Sequence, residues 1–284
     1  MHKNKYNKTV TKNEFEDFIK QTKAKKGVVC FAHRGVSSLA PGCSIKAISL
    51  GFETPEVDGI EFDVQKTSDG KLVVHHNFAL RLGEQEAWLR DLSLSQIRKH
   101  FPPSQLPELE DVLILFKNKD KIADVEIKGF GIAKEIMDLS KNLGVYKSCV
   151  FTSIYDSINE EIKEYDPNAA RIFGYPHDRG KNLAMKKWAQ PLVKLAVVYL
   201  RYSLPHKLPL ILKSSGTPFI SLYHKLITKD AVSLIHKDGG YCIGATINLQ
   251  NDTLNRESLN SMKHMKDCGV DVIKTDYPQL ISGI

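Results

Sequence analysis

Apolar residues along this chain follow two alternating rhythms. Short runs rich in Val, Ile, Phe and Cys read as strands: Gly27–Ala32, Gly59–Gln65, Ala123–Ile127, Cys149–Thr152, Arg171–Phe173, Phe219–Leu222, Tyr241–Thr246 and Val272–Thr275. Between them apolar positions recur at helical spacing. This predicts helices over Ser44–Phe52, Leu109–Lys117, Ile132–Leu143, Ser157–Glu164, Thr228–Lys237 and Ser258–Lys266. Strand–helix alternation of this kind builds parallel sheets. Eight such strands predict an α/β fold closed as a TIM (β/α)8 barrel with loop excursions at its C-terminal face. A doubly wound open sheet is the alternative that periodicity alone does not separate. The expected organisation is one barrel domain over 27–284. A polar helical extension over 1–26 precedes it, with Glu14–Ile19 as the amphipathic part.

Three segments break the rhythm. Leu72–His76 follows Gln65 through Ser68-Asp69-Gly70, and Asp-Gly between apolar runs signals a hairpin. With Asp69-Gly70 as central turn residues, Ser68 pairs with Lys71, and counting back places His76 opposite Asp63. Glu61 and Asp63 are two apart and share a face. Leu80–Pro107 is polar and turn-rich, with a helix start at Ser93, and reads as an excursion over the barrel mouth. A second excursion is expected from Tyr175 to about Thr217.

Polar groups stand at successive strand ends: His33-Arg34-Gly35, Glu61-Phe62-Asp63, His76, and Glu126-Ile127-Lys128. A parallel barrel gathers its chemistry at that end. Glu61, Asp63 and Glu126 offer hard oxygen ligands. With no cysteine in the group, one divalent cation, Ca2+ or Mg2+, is expected over zinc. Taken singly each carboxylate is better explained as a solvated charge or an ion pair, but their recurrence at successive strand ends weakens that account. His33 and His76 are candidate general acid and base. Arg34 and Lys128 suit phosphate oxygens, and pairing with the carboxylates is their simpler role. His75 should face away from the group. His100, His177, His206, His224 and His236 carry no compelling context.

The charge distribution adds a partner. The net charge is +7, yet 179–229 holds ten Lys or Arg and no acidic residue, leaving −3 on the rest of the chain (+7 less ten). That patch, with the apolar stretch Trp188–Tyr202 inside it, is expected either to contact an anionic membrane peripherally or to bury a helix. Nucleic acid is disfavoured, because no recognised reading module accompanies the charge. Cys30, Cys149 and Cys242 lie in apolar runs and read as reduced core residues. Met1–Lys12 is basic and lacks an apolar h-region, and no apolar span is long enough to cross a bilayer. A cytoplasmic protein, membrane-peripheral at most, is expected.

The order of HRG, then IEFDVQKTSDGKLVVHHN, then VEIK, then a closing GVDVIKTDYP resembles the glycerophosphodiester phosphodiesterase family from about Gly27 to the C-terminus. The resemblance implies a TIM barrel that hydrolyses glycerophosphodiesters to glycerol 3-phosphate and an alcohol with a divalent metal. It implies His33 and His76 as the catalytic pair, Glu61, Asp63 and Glu126 as metal ligands, and Arg34 and Lys128 near the phosphate. It also implies attack by the glycerol 2-hydroxyl and a cyclic phosphate opened by water. Three departures stand out. Pro41-Gly42-Cys43-Ser44 replaces a Pro-Glu-Asn-Thr block, His76-Asn77 replaces His-Asp, and Ala245-Thr246-Ile247-Asn248 replaces Trp-Thr-Val-Asn. Loss of the indole should open the pocket, and because the metal ligands and both histidines survive, an active enzyme with altered substrate preference is expected. Membrane contact by the basic stretch would suit lysophospholipids as a further substrate class. The rival is a catalytically degenerate barrel that only binds phosphate or lipid head groups.

Overall fold

The computed structural model describes residues 11–176, 188, 190–246 and 254–284. Its strands are β1 (Val29–Ala32), β2 (Gly59–Lys66), β3 (Leu72–Val74), β4 (Ala79–Leu82), β5 (Gln85–Trp88), β6 (Ile122–Ile127), β7 (Cys149–Ser153), β8 (Arg171–Tyr175), β9 (Phe219–Tyr223), β10 (Tyr241–Ala245) and β11 (Val272–Thr275). Its helices are α1 (Lys12–Lys26), α2 (Ile45–Glu53), α3 (Leu94–Arg98), α4 (Leu109–Leu115), α5 (Ala133–Asn142), α6 (Asp156–Tyr165), α7 (Gln190–Ser215), α8 (Lys229–Lys237) and α9 (Leu254–Asp267). Strand order runs β1-β11-β10-β9-β8-β7-β6-β2, all parallel, and β1 pairs with β2 through Phe31↔Gly59 and Ala32↔Ile60. That last pairing closes the barrel and excludes the open sheet. The eight strands are the eight expected from sequence, with ends shifted by one or two residues.

Closure lets only alternate residues of each strand point inward. Near the strand starts these positions are apolar: Val29 and Phe31, Ile122, Val150, Phe219 and Val272 form one buried cluster. The same parity, followed upward, brings His33, Glu61, Asp63, Asp124, Glu126 and Lys274 to the inside. Gly59 is required at the bottom, because an added Cβ would lie 2.5 Å from the Phe31 ring. Helix α1 starts at a capping box in which Glu14 N donates to Thr11 Oγ1 and Thr11 N donates to Glu14 Oε2. It sends Phe15 and Ile19, both fully buried, into the bottom cluster, and the Phe15 ring lies 4.8 Å from that of Phe219. The outer faces of the strands pack against the surrounding helices in two larger clusters.

Two expectations need correction. The β2–β3 register is Val64↔Val74, Gln65↔Val73 and Lys66↔Leu72, one residue away from the predicted pairing. The loop has three residues, Ser68 to Gly70, because Gly70 takes the left-handed position (φ 83) and the Thr67 hydroxyl accepts the Lys71 N–H at 2.9 Å. His75, not His76, therefore stands opposite Asp63, its N–H donating to the Asp63 carbonyl at 2.9 Å. The second excursion is in large part a barrel helix. α7 runs 26 residues with Pro205 and Pro209 inside it, and those prolines conceal a helix from sequence pattern. Its later part packs Leu204, Leu208 and Leu212 against the barrel. Arg179, Lys181, Lys186 and Lys187 of the basic patch, and Ile247 and Asn248, lie outside the described residues. The first excursion is not a bare loop. β4, β5 and α3 enclose Leu80, Leu89, Leu92, Ile97 and Leu106, and Ser93 caps α3 as expected.

The placement of Phe15 gives a stability prediction. Phe15→Ala should cost about 3–5 kcal/mol, the usual loss for a fully buried aromatic, read by denaturant unfolding. A loss below about 1 kcal/mol would mean that α1 does not share the cooperative core.

Candidate active site at the mouth of the barrel

The turn after β1 is folded against β2. His33 N–H donates to the Thr275 carbonyl at 2.9 Å, and Gly35 N–H to the Glu61 carbonyl at 3.1 Å. Between them Arg34 is left-handed (φ 58), which aims its N–H at Glu61 Oε2, 2.7 Å away. Gly35 (φ 72) is obligatory here, since a Cβ would sit 2.4 Å from the Ala47 carbonyl carbon. This turn therefore carries the two predicted residues His33 and Arg34 to the carboxylates of the next strand.

Glu61, Asp63 and Glu126 converge as predicted, each offering an oxygen within 4.8 Å of the others. The β2–β6 register, Glu61↔Asp124 and Asp63↔Glu126, sets them at two adjacent levels. Burial, then Asp63 and Glu126, push the Glu61 carboxyl well above the usual range. Burial, then Asp63, raise Glu126 as well. Burial also opposes ionisation of Asp63, but Lys128, His76, Arg34 and His33 outweigh it and hold that carboxyl well below its ordinary value. Lys128 Nζ lies 3.1 Å from Asp63 Oδ1, and Arg34 Nε lies 3.8 Å from Asp63 Oδ2. Glu61 Oε1 is buried with no hydrogen-bond partner. An orphaned carboxylate oxygen between two other acidic groups fits a cation, and the all-oxygen donor set suits a hard one.

The two histidines are held differently. His33 Nδ1 lies 2.8 Å from Asp276 Oδ1, which also accepts from Ser37 Oγ at 2.7 Å. With Nδ1–H donating to that carboxylate, Nε2 is left toward Glu61, 3.9 Å from Oε2. His76 follows the end of β3, so strand alternation does not reach it despite the register shift. Its position comes from three successive carbonyls: Gln65 Nε2 donates to those of His75 (2.6 Å) and Asn77 (2.9 Å), and Lys128 Nζ to that of His76 (2.7 Å). Its ring pairs with Asn77, Nδ1 to Oδ1 at 3.0 Å. Burial, then Lys128, lower the His76 pKa well below the usual imidazole value. His75 turns its ring toward Phe101, 6.5 Å between centroids.

Several residues were missed by sequence reasoning. Asp276 and Lys274 belong to the closing motif but received no role. A lysine inside the apolar run of β11 was the available signal. Lys274 is buried and ion-paired to Asp124, whose other oxygen accepts from Thr152 Oγ1 at 2.5 Å. Burial opposes charge on Lys274, but Asp124 and Glu61 outweigh it and raise its pKa. Gln65 was read only as a strand residue. The sequence reading placed no cysteine in the group, yet buried Cys43 Sγ lies 3.4 Å from Asp63 Oδ2. At the Gly42 departure, an added Cβ would lie 3.2 Å from the Arg34 Cβ, a tight contact that the glycine avoids. All five cysteines are buried and free. No helix among the described residues is long and apolar enough to cross a membrane.

Comparison with known proteins agrees with this geometry. A sequence model described as the glycerophosphoryl diester phosphodiesterase family matches residues 33–280. A glycerophosphodiester phosphodiesterase of Caldanaerobacter subterraneus is 28% identical over 261 residues, covering 88% of this chain and 94% of that protein. A crystal structure of a glycerophosphoryl diester phosphodiesterase from Silicibacter pomeroyi, described there as putative, superposes with TM-score 0.68 at 19% identity, covering 89% and 91% of the two chains. A phosphodiesterase from Oleispira antarctica, solved with the product sn-glycerol-3-phosphate, gives TM-score 0.63 at 18% identity, covering 90% and 95%.

The buried ion pair beneath the site can be tested by stability alone. Lys274→Met should cost about 3–5 kcal/mol, because buried Asp124 then keeps the Thr152 hydroxyl but loses its counter-ion. Guanidinium unfolding of the variant is the measurement, and a near-native midpoint would show that Asp124 does not depend on Lys274.

Proposed function

The chain belongs to the glycerophosphoryl diester phosphodiesterase family and is a phosphoric diester hydrolase, and we propose a two-histidine, cation-dependent route for its cleavage of glycerophosphodiesters. The supporting observation is the convergence of Glu61, Asp63 and Glu126 between His33 and His76. Those three carboxylates would hold one Ca2+ or Mg2+. When bound, the cation supplies charge neutralisation to the phosphate in the transition state.

The protein's own groups do the rest. Arg34 meets a phosphate oxygen from the β1 turn. Lys128 keeps Asp63 ionised and the His76 loop in place, and its third N–H remains for substrate. One imidazole accepts the proton of the substrate's 2-hydroxyl as that oxygen attacks phosphorus. The other delivers a proton to the departing alcohol oxygen. A cyclic phosphate results, and water opens it to glycerol 3-phosphate by the reverse proton movements. Asp276 fixes the His33 tautomer, while Gln65 and Lys128 fix His76 through its backbone.

Lysophospholipids are the second substrate class. Leu39 after β1, Trp88 on the β4–β5 hairpin and Phe130 after β6 are large, exposed and on the mouth side of the barrel. They favour a substrate with an acyl chain, which would yield lysophosphatidate.

Release of glycerol 3-phosphate from glycerophosphocholine tests the main reading. Chelator should abolish it and Ca2+ or Mg2+ restore it. Glu61→Ala and Asp63→Ala should lose most activity while folded, and His33→Ala and His76→Ala at least ~10²-fold. His75→Ala should be mild. Full turnover after exhaustive metal removal would refute the cation's part.

Asn77 gives a separate pH prediction. A carboxylate favours the charged imidazole more than an amide does, so Asn77→Asp raises the His76 pKa. The limb of the kcat/KM–pH profile that His76 governs should move to higher pH. An unmoved profile in a folded, active variant would mean that residue 77 does not tune the imidazole.

A further inference from the structure

Helix α7 is longer than its place in the barrel requires. The helices beside the other barrel strands have seven to fourteen residues, while α7 has 26. It ends at Ser215, four residues before β9 begins at the bottom of the barrel. Its lower part, from Leu204, is buried against the barrel wall. The upper part, 190–203, is mostly exposed and amounts to about 21 Å of helix. It must rise toward the mouth, on the same end as the carboxylate cluster.

The exposed face of this upper part has the wrong chemistry for water. Val193, Val197 and Leu200 are only partly exposed and share the packed side. About half a turn of helix away stand Leu192, Leu195, Val198, Tyr199 and Tyr202, each between 61% and 79% exposed. A surface helix ordinarily carries polar residues there. Lys194 and Arg201 flank this stripe, and Lys207 Nζ sits over the Tyr199 ring at 5.2 Å. No acidic residue occurs anywhere in 179–229. A second copy of the chain would bring the same positive flanks into contact and be repelled. An anionic lipid surface satisfies both the apolar stripe and the cations.

We propose that the upper half of α7 is an interfacial arm that docks the barrel, mouth first, on anionic bilayers. Leu192, Leu195, Tyr199 and Tyr202 enter the head-group boundary, with Lys194 and Arg201 on lipid phosphates. Trp88 and Phe130 on the mouth side face the same surface. The inference deepens the phosphodiesterase reading by naming the surface at which that site works, and rests on it only in that respect.

Both tryptophans of the chain, Trp88 and Trp188, are exposed, so fluorescence reports contact directly. Full-length protein is mixed with vesicles of phosphatidylcholine alone or with phosphatidylglycerol, at low and moderate salt. Expected are co-sedimentation and a blue shift with the anionic vesicles only, weakened by salt. Lys194→Gln with Arg201→Gln should lower affinity about 25-fold, roughly fivefold for each cation. Leu195→Gln with Tyr199→Gln should lower it at least ~10-fold, through lost apolar burial. Both pairs are surface changes. They should keep the native circular dichroism and the native rate on glycerophosphocholine. The arm is overturned if the native protein ignores anionic vesicles at low salt, if either variant pair binds as the native does, or if light scattering shows the stripe buried in a dimer. Binding is read without turnover. Failure of hydrolysis with intact binding counts against the catalytic reading alone, and lost binding with intact hydrolysis against the arm alone.

Discussion

Inward space in a closed eight-stranded barrel is rationed by strand parity, and the rest of this molecule follows from how that space is filled. Each strand presents only every second residue to the interior. At the lower levels those positions hold Phe31, Ile122, Val150, Phe219 and Val272, capped from below by Phe15 and Ile19. At the upper levels the same parity delivers Glu61, Asp63, Asp124, Glu126 and Lys274. A one-residue slip in any pairing would exchange a carboxylate for an apolar neighbour such as Phe62 or Val125. The apolar lower layer therefore does more than add burial: it fixes the register that lets the carboxylates meet.

The upper layer is electrostatically incomplete as the side chains stand. Five carboxylates, Glu61, Asp63, Asp124, Glu126 and Asp276, face three permanent cations, Arg34, Lys128 and Lys274. Five less three leaves two negative charges. The burden is not evenly shared. Asp124 is matched by Lys274 and Asp63 by Lys128 and Arg34, while Asp276 is hydrogen-bonded by His33 and Ser37. Glu61 and Glu126 are left, and they are the two whose pKa values rise. They either hold protons or share a divalent cation, and the second state is the one the proposed chemistry uses.

Much of this was legible because closure and alternation are local rules. The strands, the two levels of carboxylates, His33 and Arg34 could all be read from apolar runs ending in polar groups. The hairpin register could not, since the choice between a two- and a three-residue loop rests on Thr67 accepting the Lys71 N–H and on Gly70 adopting a positive φ. His76 was identified on strand alternation that does not extend to it. What positions it is the grip of Gln65 and Lys128 on three backbone carbonyls, a relation no side-chain pattern encodes. Asp276 and Lys274 lay far along the chain from their partners, and only the β1–β11 pairing brings them beside His33 and above Asp124. α7 was obscured because Pro205 and Pro209 break a helix by propensity but not, here, in the fold.

The same layering gives the barrel a direction. Its bottom is sealed by α1, with the Phe15 ring tilted against those of Phe219 and Phe31, so a charged phosphodiester has no route in from that side. Among the described residues the carboxylate cluster opens toward the mouth, where Arg34 and Glu126 remain partly exposed. Substrate approach is thus one-ended. A surface that supplied substrate to the proposed site would lie across the mouth, and α7 starts on that side with its apolar stripe turned away from the barrel. The added turns carry that stripe on the mouth side, so the proposed docking of α7 on a bilayer would bring lipid to the end of the barrel that holds the carboxylates.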